Sequence, residues 1–215
     1  MTDIAGLSIA ILGGTGDQGK GLARRFAAAG HQVLIGSRSA DRAVAAADEL
    51  GVGGGENAWV AARADVVIVA VPYEGHREIL EALKDVLAGK IVVDCVNPLG
   101  FDKQGAFPLE VPEGSAAQQA AAVLPDSTVV AAFHHVSAVL LLDPEVGEMD
   151  LDVLVLGDDR QATDLVQALA ARIPGMRGVY AGRLRNARQI EALTANLISI
   201  NRRYKAHAGF RVTDV

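Results

Sequence analysis

Short apolar runs alternate along this chain with stretches whose apolar residues recur at helical spacing. Residues 7–12 (LSIAIL) form an apolar run that stops at Gly13-Gly14 and predict a buried parallel strand. In 17–29, Leu22, Ala23, Phe26 and Ala27 share one helical face, and Gly30 follows as a C-terminal cap. The same reading gives a strand at 32–35 and an alanine-rich helix at 41–50 stopped by Gly51. Glycines 51–55 predict a loop or a short strained strand, after which Asn57 is placed to cap a helix running to Ala64. Residues 65–71 (DVVIVAV) are the clearest core strand, ended by Pro72. A helix at 75–87 and a strand at 90–96, ended by Asn97-Pro98, complete the first half.

The second half is less regular. Residues 99–113 mix Gly, Pro, Phe and charges without periodicity and predict a loop of functional length. Ser115 and Gln118 have capping-box spacing for a helix to Leu124. Strands are expected at 128–133, 152–156 and 176–180, with helices at 160–173 and from 184 to about 204. Strand–helix alternation with buried strands means an α/β fold with a doubly wound, mostly parallel sheet. A division follows: residues 1–150 as a nucleotide-binding domain, and 151–215 as a small C-terminal α/β lobe for a second substrate and dimer contacts.

Composition narrows the class. Half of the 215 residues are hydrophobic and only 4% are aromatic, so a core can form from Ala, Val, Leu and Gly. No apolar run approaches membrane-spanning length, and the N-terminus lacks a basic start followed by an apolar stretch and cleavage site. No membrane association and a cytoplasmic location are therefore expected. One cysteine, Cys95, rules out a cysteine framework and argues against metal. The net charge of −6 argues against nucleic acid as a partner. The charge is uneven, because residues 183–215 hold seven cations against Glu191 and Asp214. A basic segment on an acidic chain suits a local anion site, although surface solvation explains single arginines equally well.

The chemistry concentrates at strand ends. Gly14-Thr15-Gly16-Asp17-Gln18-Gly19 is a G-x-G-x-x-G turn between a strand and a helix, the Rossmann position for a pyrophosphate. Gly14 permits the turn, Gly16 admits the phosphates, Gly19 brings helix and strand together, and the helix N-terminus supplies free N–H groups. Thr15 adds a hydroxyl. The other reading is a tight turn without a ligand. Where NAD enzymes place a carboxylate for the ribose, this chain has Gly36-Ser37-Arg38, with Arg42 one turn later. A hydroxyl and guanidinium groups suit a 2′-phosphate, so NADP(H) is the expected cofactor. The alternative leaves Arg38 on the surface and Ser37 as a helix cap. Val71, Pro72 and Tyr73, then Asn97 and Pro98, then Phe133-His134-His135 follow three further strands, where open sheets bind ligands. Adjacent histidines of an extended segment point opposite ways, so one faces a ligand or packs in the core, and no metal is expected.

These motifs, with residues 184–194 (LRNARQIEALT), resemble the NADPH-dependent reductases of the 8-hydroxy-5-deazaflavin coenzyme F420 over nearly the whole chain. The stretch 97–103 looks like the actinobacterial branch. The resemblance implies an oxidoreductase that moves hydride reversibly between C4 of NADPH and C5 of the deazaflavin. By position, Thr15, Ser37, Arg38 and Arg42 would bind NADP, His134, as the catalytic candidate, and Val136 would line the deazaflavin pocket near the transfer site, and Arg188 and Thr194 would contact it from the last helix. The archaeal members have a serine at the place of Ala192 and a proline at that of Ser137. An anionic deazaflavin as partner fits the basic C-terminal segment. Leu193, Leu197, Ile198 and Ile200 make that helix apolar on more than one face, and a homodimer through it is expected. The alternatives are an NADP-dependent imine reductase of the pyrroline-carboxylate type, and a non-catalytic NADP sensor.

Overall fold

In the computed structural model, residues 4–215 are described. The chain runs β1 (Ser8–Leu12), α1 (Asp17–Ala28), β2 (Gln32–Ser37), α2 (Ala40–Leu50), β3 (Gly53–Glu56), α3 (Asn57–Ala62) and β4 (Val66–Val69). A single 3₁₀ turn (Tyr73–Gly75) leads into α4 (His76–Leu87) and β5 (Ile91–Asp94), then β6 (Leu99–Asp102) and β7 (Gly105–Pro108). The remainder is α5 (Ala116–Val123), β8 (Thr128–Ala131), α6 (Ala138–Leu142), β9 (Leu151–Gly157), α7 (Arg160–Ala170), β10 (Met176–Gly182) and α8 (Ala187–Tyr204).

The main sheet has the order β10-β9-β8-β5-β4-β1-β2-β3 among the described residues. Every pair is parallel except β8–β9. β1 and β4 are buried on both faces, which is why they read as unbroken apolar runs. One core layer packs Leu22 and Phe26 of α1 and Val166 and Leu169 of α7 against the sheet. The other packs Val60, Leu80, Leu83 and Leu87 with Ala116, Ala120 and Ala187 on the opposite face. The sheet is thus doubly wound, and its topological switch lies between β1 and β4, where a crevice opens at the strands' carboxyl ends.

Three local readings change, and the structure decides between the two alternatives for a fourth. Residues 99–113 are not a plain loop, because β6 and β7 form an antiparallel hairpin that packs against α8. Its pairing is non-periodic in sequence because both strands are short and half exposed. Glycines 53–55 do form an edge strand, and Gly54 has no room for a side chain because a Cβ would lie 2.5 Å from the Ala43 carbonyl oxygen. Asn57 is the first residue of α3 rather than its cap, a place taken by Glu56. Residues 133–136 form a turn, not an extended segment, since Phe133 has φ of 64°. Both His134 and His135 consequently point into the protein.

That turn is held over the start of α1. Gly21 lets α6 approach α1 so closely that a Cβ there would lie 2.5 Å from Cβ of Leu141. The buried Arg25 guanidinium donates to the carbonyl oxygens of Leu140, Leu141, Asp143 and Val146 at the end of α6. At the other end of the same loop, Gln18 Nε2 donates to the Phe133 carbonyl at 3.2 Å.

Candidate functional site

The β1–α1 turn is built by backbone contacts that need glycine. Gly13 has φ of 74°, and a Cβ on it would lie 2.5 Å from the Ala70 carbonyl oxygen. A Cβ on Gly19 would lie 2.7 Å from Cα of Gly14 and 2.8 Å from the Gly13 oxygen, so this glycine lets α1 sit against the turn. Gly16 differs, since a Cβ there meets nothing closer than the Gly13 oxygen at 3.6 Å. It stands at the N-cap of α1 with no side-chain capping bond. The first N–H groups of the helix therefore face outward, and the absence of a side chain at Gly16 leaves an open approach to them. A dinucleotide's pyrophosphate fits this cradle.

The cradle opens into a cleft of about 1080 Å³ that is lined by Thr15, Gly16, Asp17 and Gln18, by Ser37, Arg38 and Arg42, and by Val71 and Pro72. Nine of the sequence-predicted residues thus meet at one place. Gly14 and Gly19 are buried in the turn beneath it. The cation end also explains Gly36. A Cβ on it would lie 2.7 Å from Oδ1 of Asn57 and 2.8 Å from Val60, so packing excludes a carboxylate at that strand position. Ser39, not Ser37, caps α2, its hydroxyl accepting from the Arg42 N–H. The Ser37 hydroxyl accepts from the Ser39 N–H at 3.3 Å and keeps its own proton to donate. Asn57 also lines this end, and its Oδ1 is buried without a partner. Sequence reasoning saw Asn57 only as a helix cap, and missed it here because its position over Gly36 depends on the β2–β3 register.

Three of the other sequence-predicted residues, Asn97, His134 and Thr194, meet at a second place. Asn97 Nδ2 donates to the His134 carbonyl at 2.8 Å. The Thr194 hydroxyl lies 3.3 Å from Asn97 Oδ1 and 3.2 Å from the same carbonyl, so β5, the 133–136 turn and α8 meet at one junction. His134 is 3% exposed, and burial drives the pKa of its ring down to about 4 against the Asp94 charge and weak contacts with the Cys95 and Val96 backbone. It is a neutral imidazole at pH 7. His135 is likewise pushed down to about 4 by burial, and its Nε2 accepts from the Leu154 N–H. Val136 and Pro98 are buried, and Tyr73 packs its ring against that of His76. Arg188 is half exposed on α8 and pairs with Glu110, just beyond the hairpin, at 2.8 Å.

Sequence reading did not find a buried polar group behind this junction. His76 and Asp94, both fully buried, lie 2.6 Å apart, and Glu191 accepts the N–H groups of Ala116 and Ala117 at the start of α5. No local motif marks them, because each comes from a different element. Desolvation pushes the Glu191 carboxyl up to about 7, against the two backbone donors. Folding therefore favours its protonated form, so its contribution to stability is full below the ordinary carboxylate range and is lost as pH rises to about 7. The melting temperature of the wild type is expected to fall between pH 5 and 7.5 relative to that of Glu191→Gln. Parallel curves for the two proteins would remove Glu191 as the cause.

The chain is similar to known proteins over nearly its full length. A family model described as NADP oxidoreductase, coenzyme F420-dependent, matches residues 8–98. The F420-dependent NADP reductase of Methanothermobacter marburgensis is 41% identical, over 97% of this chain and 99% of that protein. The one from Methanocaldococcus jannaschii is 40% identical, over 97% of this chain and 99% of that protein. Among solved structures, a candidate F420-dependent NADP-reductase from Arthrobacter sp. FB24 superposes with a TM-score of 0.85 at 29% identity, covering 97% of this chain and all of that one. With its glycine cradle, cationic cleft and full-length relatives at about 40% identity, the chain belongs to the family of coenzyme F420-dependent NADP oxidoreductases.

Proposed function

We propose that this protein is an oxidoreductase that moves hydride reversibly between NADP(H) and the deazaflavin coenzyme F420. The observation that carries this reading is the continuity of one cleft from the α1 cradle to Ser37, Arg38 and Arg42. When bound, the two coenzymes supply the hydride donor and acceptor, and the protein's part is alignment. Gly14, Gly16 and Gly19 with the N–H groups of Asp17 and Gln18 would hold the pyrophosphate, and Thr15 would add a hydroxyl. Ser37, Arg38 and Arg42 would hold the 2′-phosphate. Val71 and Pro72 line the cleft, and with Tyr73 would lead toward the transfer end, where Asn97, Pro98, His134, Val136 and Thr194 would shape the deazaflavin side. His134 acts there as an uncharged group whose carbonyl fixes Asn97 and Thr194. An absorbance assay tests the reading. NADPH with oxidised F420 and enzyme should bleach the deazaflavin's visible band. Turnover of a cyclic imine alone, or NADPH binding with no turnover, would overturn it.

The finer assignments belong to the same proposal. Residues 1–150 would serve the nucleotide and 151–215 the second substrate and the subunit contact. β9 and β10 nonetheless extend the same sheet, so the division is one of roles. Among the described residues no helix is long and apolar enough to cross a membrane, and a cytoplasmic location is the reading we adopt. A homodimer through α8 is supported by Ile200 and Tyr204, which are 40% and 73% exposed on that helix, and light scattering of the purified protein would measure it. Arg188 would contact the anionic tail of the deazaflavin. Arg188→Ala is expected to raise KM for F420 on the order of tenfold, the loss of one charge-assisted bond, with NADPH affinity unchanged. An unaltered KM would remove Arg188 from the site.

A further inference from the structure

The buried group behind the transfer junction is a hydrogen-bonded chain of Asp94, His76, Gln119 and Glu113. His76, at the start of α4, is fully buried. Its Nε2 lies 2.6 Å from Asp94 Oδ2, and its Nδ1 lies 3.0 Å from Gln119 Oε1. The Gln119 amide cannot turn round, because its Nε2 donates to Glu113 Oε2 at 3.1 Å. Hydrogen bonding and an ion pair with Arg77 hold that Glu113 carboxylate below its ordinary pKa, so it remains an acceptor. His76 therefore faces a carboxylate oxygen on one side and an amide oxygen on the other. The Gln119 oxygen cannot donate, so Nδ1 must, and with Asp94 as the carboxylate Nε2 does so as well.

This imidazolium is linked to the transfer end through short connections. The other Asp94 oxygen accepts the Val96 N–H at 3.1 Å, which sets the turn leaving β5. Asn97 is the next residue along and bridges the His134 carbonyl and Thr194. Glu191 lies about one helical turn before Thr194 and pins α8 to the start of α5, the helix that supplies Gln119. The four elements β5, α4, α5 and α8 are thus tied together around one buried cation.

We propose that His76 is a positioning residue that works as a buried imidazolium, locking the Asp94–Asn97 turn and, through it, the Asn97–His134–Thr194 junction at the hydride-transfer end. The charged and titratable groups around it are Asp94 on β5, Glu191 on α8, Glu113 beyond Gln119, Arg77 beside it on α4, and the Tyr73, Cys95 and His134 side chains. Burial opposes the charge on His76, but Asp94, Gln119 and Glu191 outweigh it and raise its pKa. Cys95 adds no charge to the group, because burial pushes its thiol up, well beyond the working range. Loss of the proton at alkaline pH would set a lone pair against the Gln119 oxygen or the Asp94 carboxylate and release the turn. A purely structural histidine would instead be indifferent to its charge state.

Two measurements on the full-length protein test this. The first is ¹⁵N NMR of the histidine rings in the NADPH-bound enzyme. The His76 signals, assigned by their loss in His76→Gln and by the shift of Nδ1 in Gln119→Leu, should be those of an imidazolium at pH 7 and above. A neutral tautomer at pH 7 overturns the proposal. This measurement does not depend on the identity of the second substrate, so it stands even if F420 proves not to be turned over. The second uses kinetics and rests on the function proposed above. His76→Gln and Gln119→Leu should each lower kcat with F420 on the order of tenfold while the NADPH dissociation constant stays within about twofold. The alkaline limb of the wild-type kcat profile should be absent from His76→Gln. Wild-type kcat in both variants, or equal losses of kcat and NADPH binding, would show that the group only supports the fold.

Discussion

Replacing Arg38 by glutamate is expected to weaken NADPH binding by two to three orders of magnitude and to leave NADH binding nearly unchanged. Arg38 is exposed at the rim of the cleft, beside the Ser37 hydroxyl and near Arg42. The variant loses a charge-assisted bond worth about 1.5–3 kcal/mol and adds repulsion of roughly similar size, and about 1.4 kcal/mol is a factor of ten. Because the side chain lies at the surface, the fold should not suffer, and the melting temperature serves as a control. Titration of both nucleotides by fluorescence would measure the ratio. Equal losses would mean that the 2′-phosphate does not sit at Arg38.

The second large effect separates two glycines of one motif. Gly19→Ala should destabilise the protein, because its Cβ would lie 2.7 Å from Cα of Gly14 and 2.8 Å from the Gly13 oxygen, all backbone that cannot rotate away. Forced overpacking of this kind costs about 1–3 kcal/mol. Gly16→Ala should fold normally, since the nearest atom to its Cβ is 3.6 Å away and its φ of −84° is ordinary for alanine. The added methyl would nevertheless stand in front of the α1 N-terminus. NADPH affinity is therefore expected to fall at least on the order of tenfold with stability intact. Thermal melts with and without NADPH would distinguish the two. A Gly16→Ala protein that binds NADPH like the wild type would place the pyrophosphate somewhere other than this cradle.

Much of this protein is readable from its residue order. The apolar runs at β1 and β4 have no polar alternation because both their faces are covered, so the parallel sheet follows from them directly. The G-x-G-x-x-G turn and the Ser37-Arg38 pair are local in sequence, and the cleft contains them as one surface. The hairpin β6–β7 escaped because it is short, exposed and stabilised by α8 rather than by its own alternation. The histidine turn is not legible in the sequence, because nothing in Phe133-His134-His135 announces a residue with positive φ.

Periodicity and glycine spacing, which act over a few residues, determined the fold class, the cradle and the cationic end of the cleft. What only the tertiary structure decided is how distant segments converge: Asn57 over Gly36, Thr194 on the His134 carbonyl, and His76 between Asp94 and Gln119. Burial and hydrogen-bond direction set the protonation of these groups, and both depend on which elements the chain brings together. A histidine in a string of letters has no fixed charge, whereas the same histidine closed between two acceptor oxygens has only one.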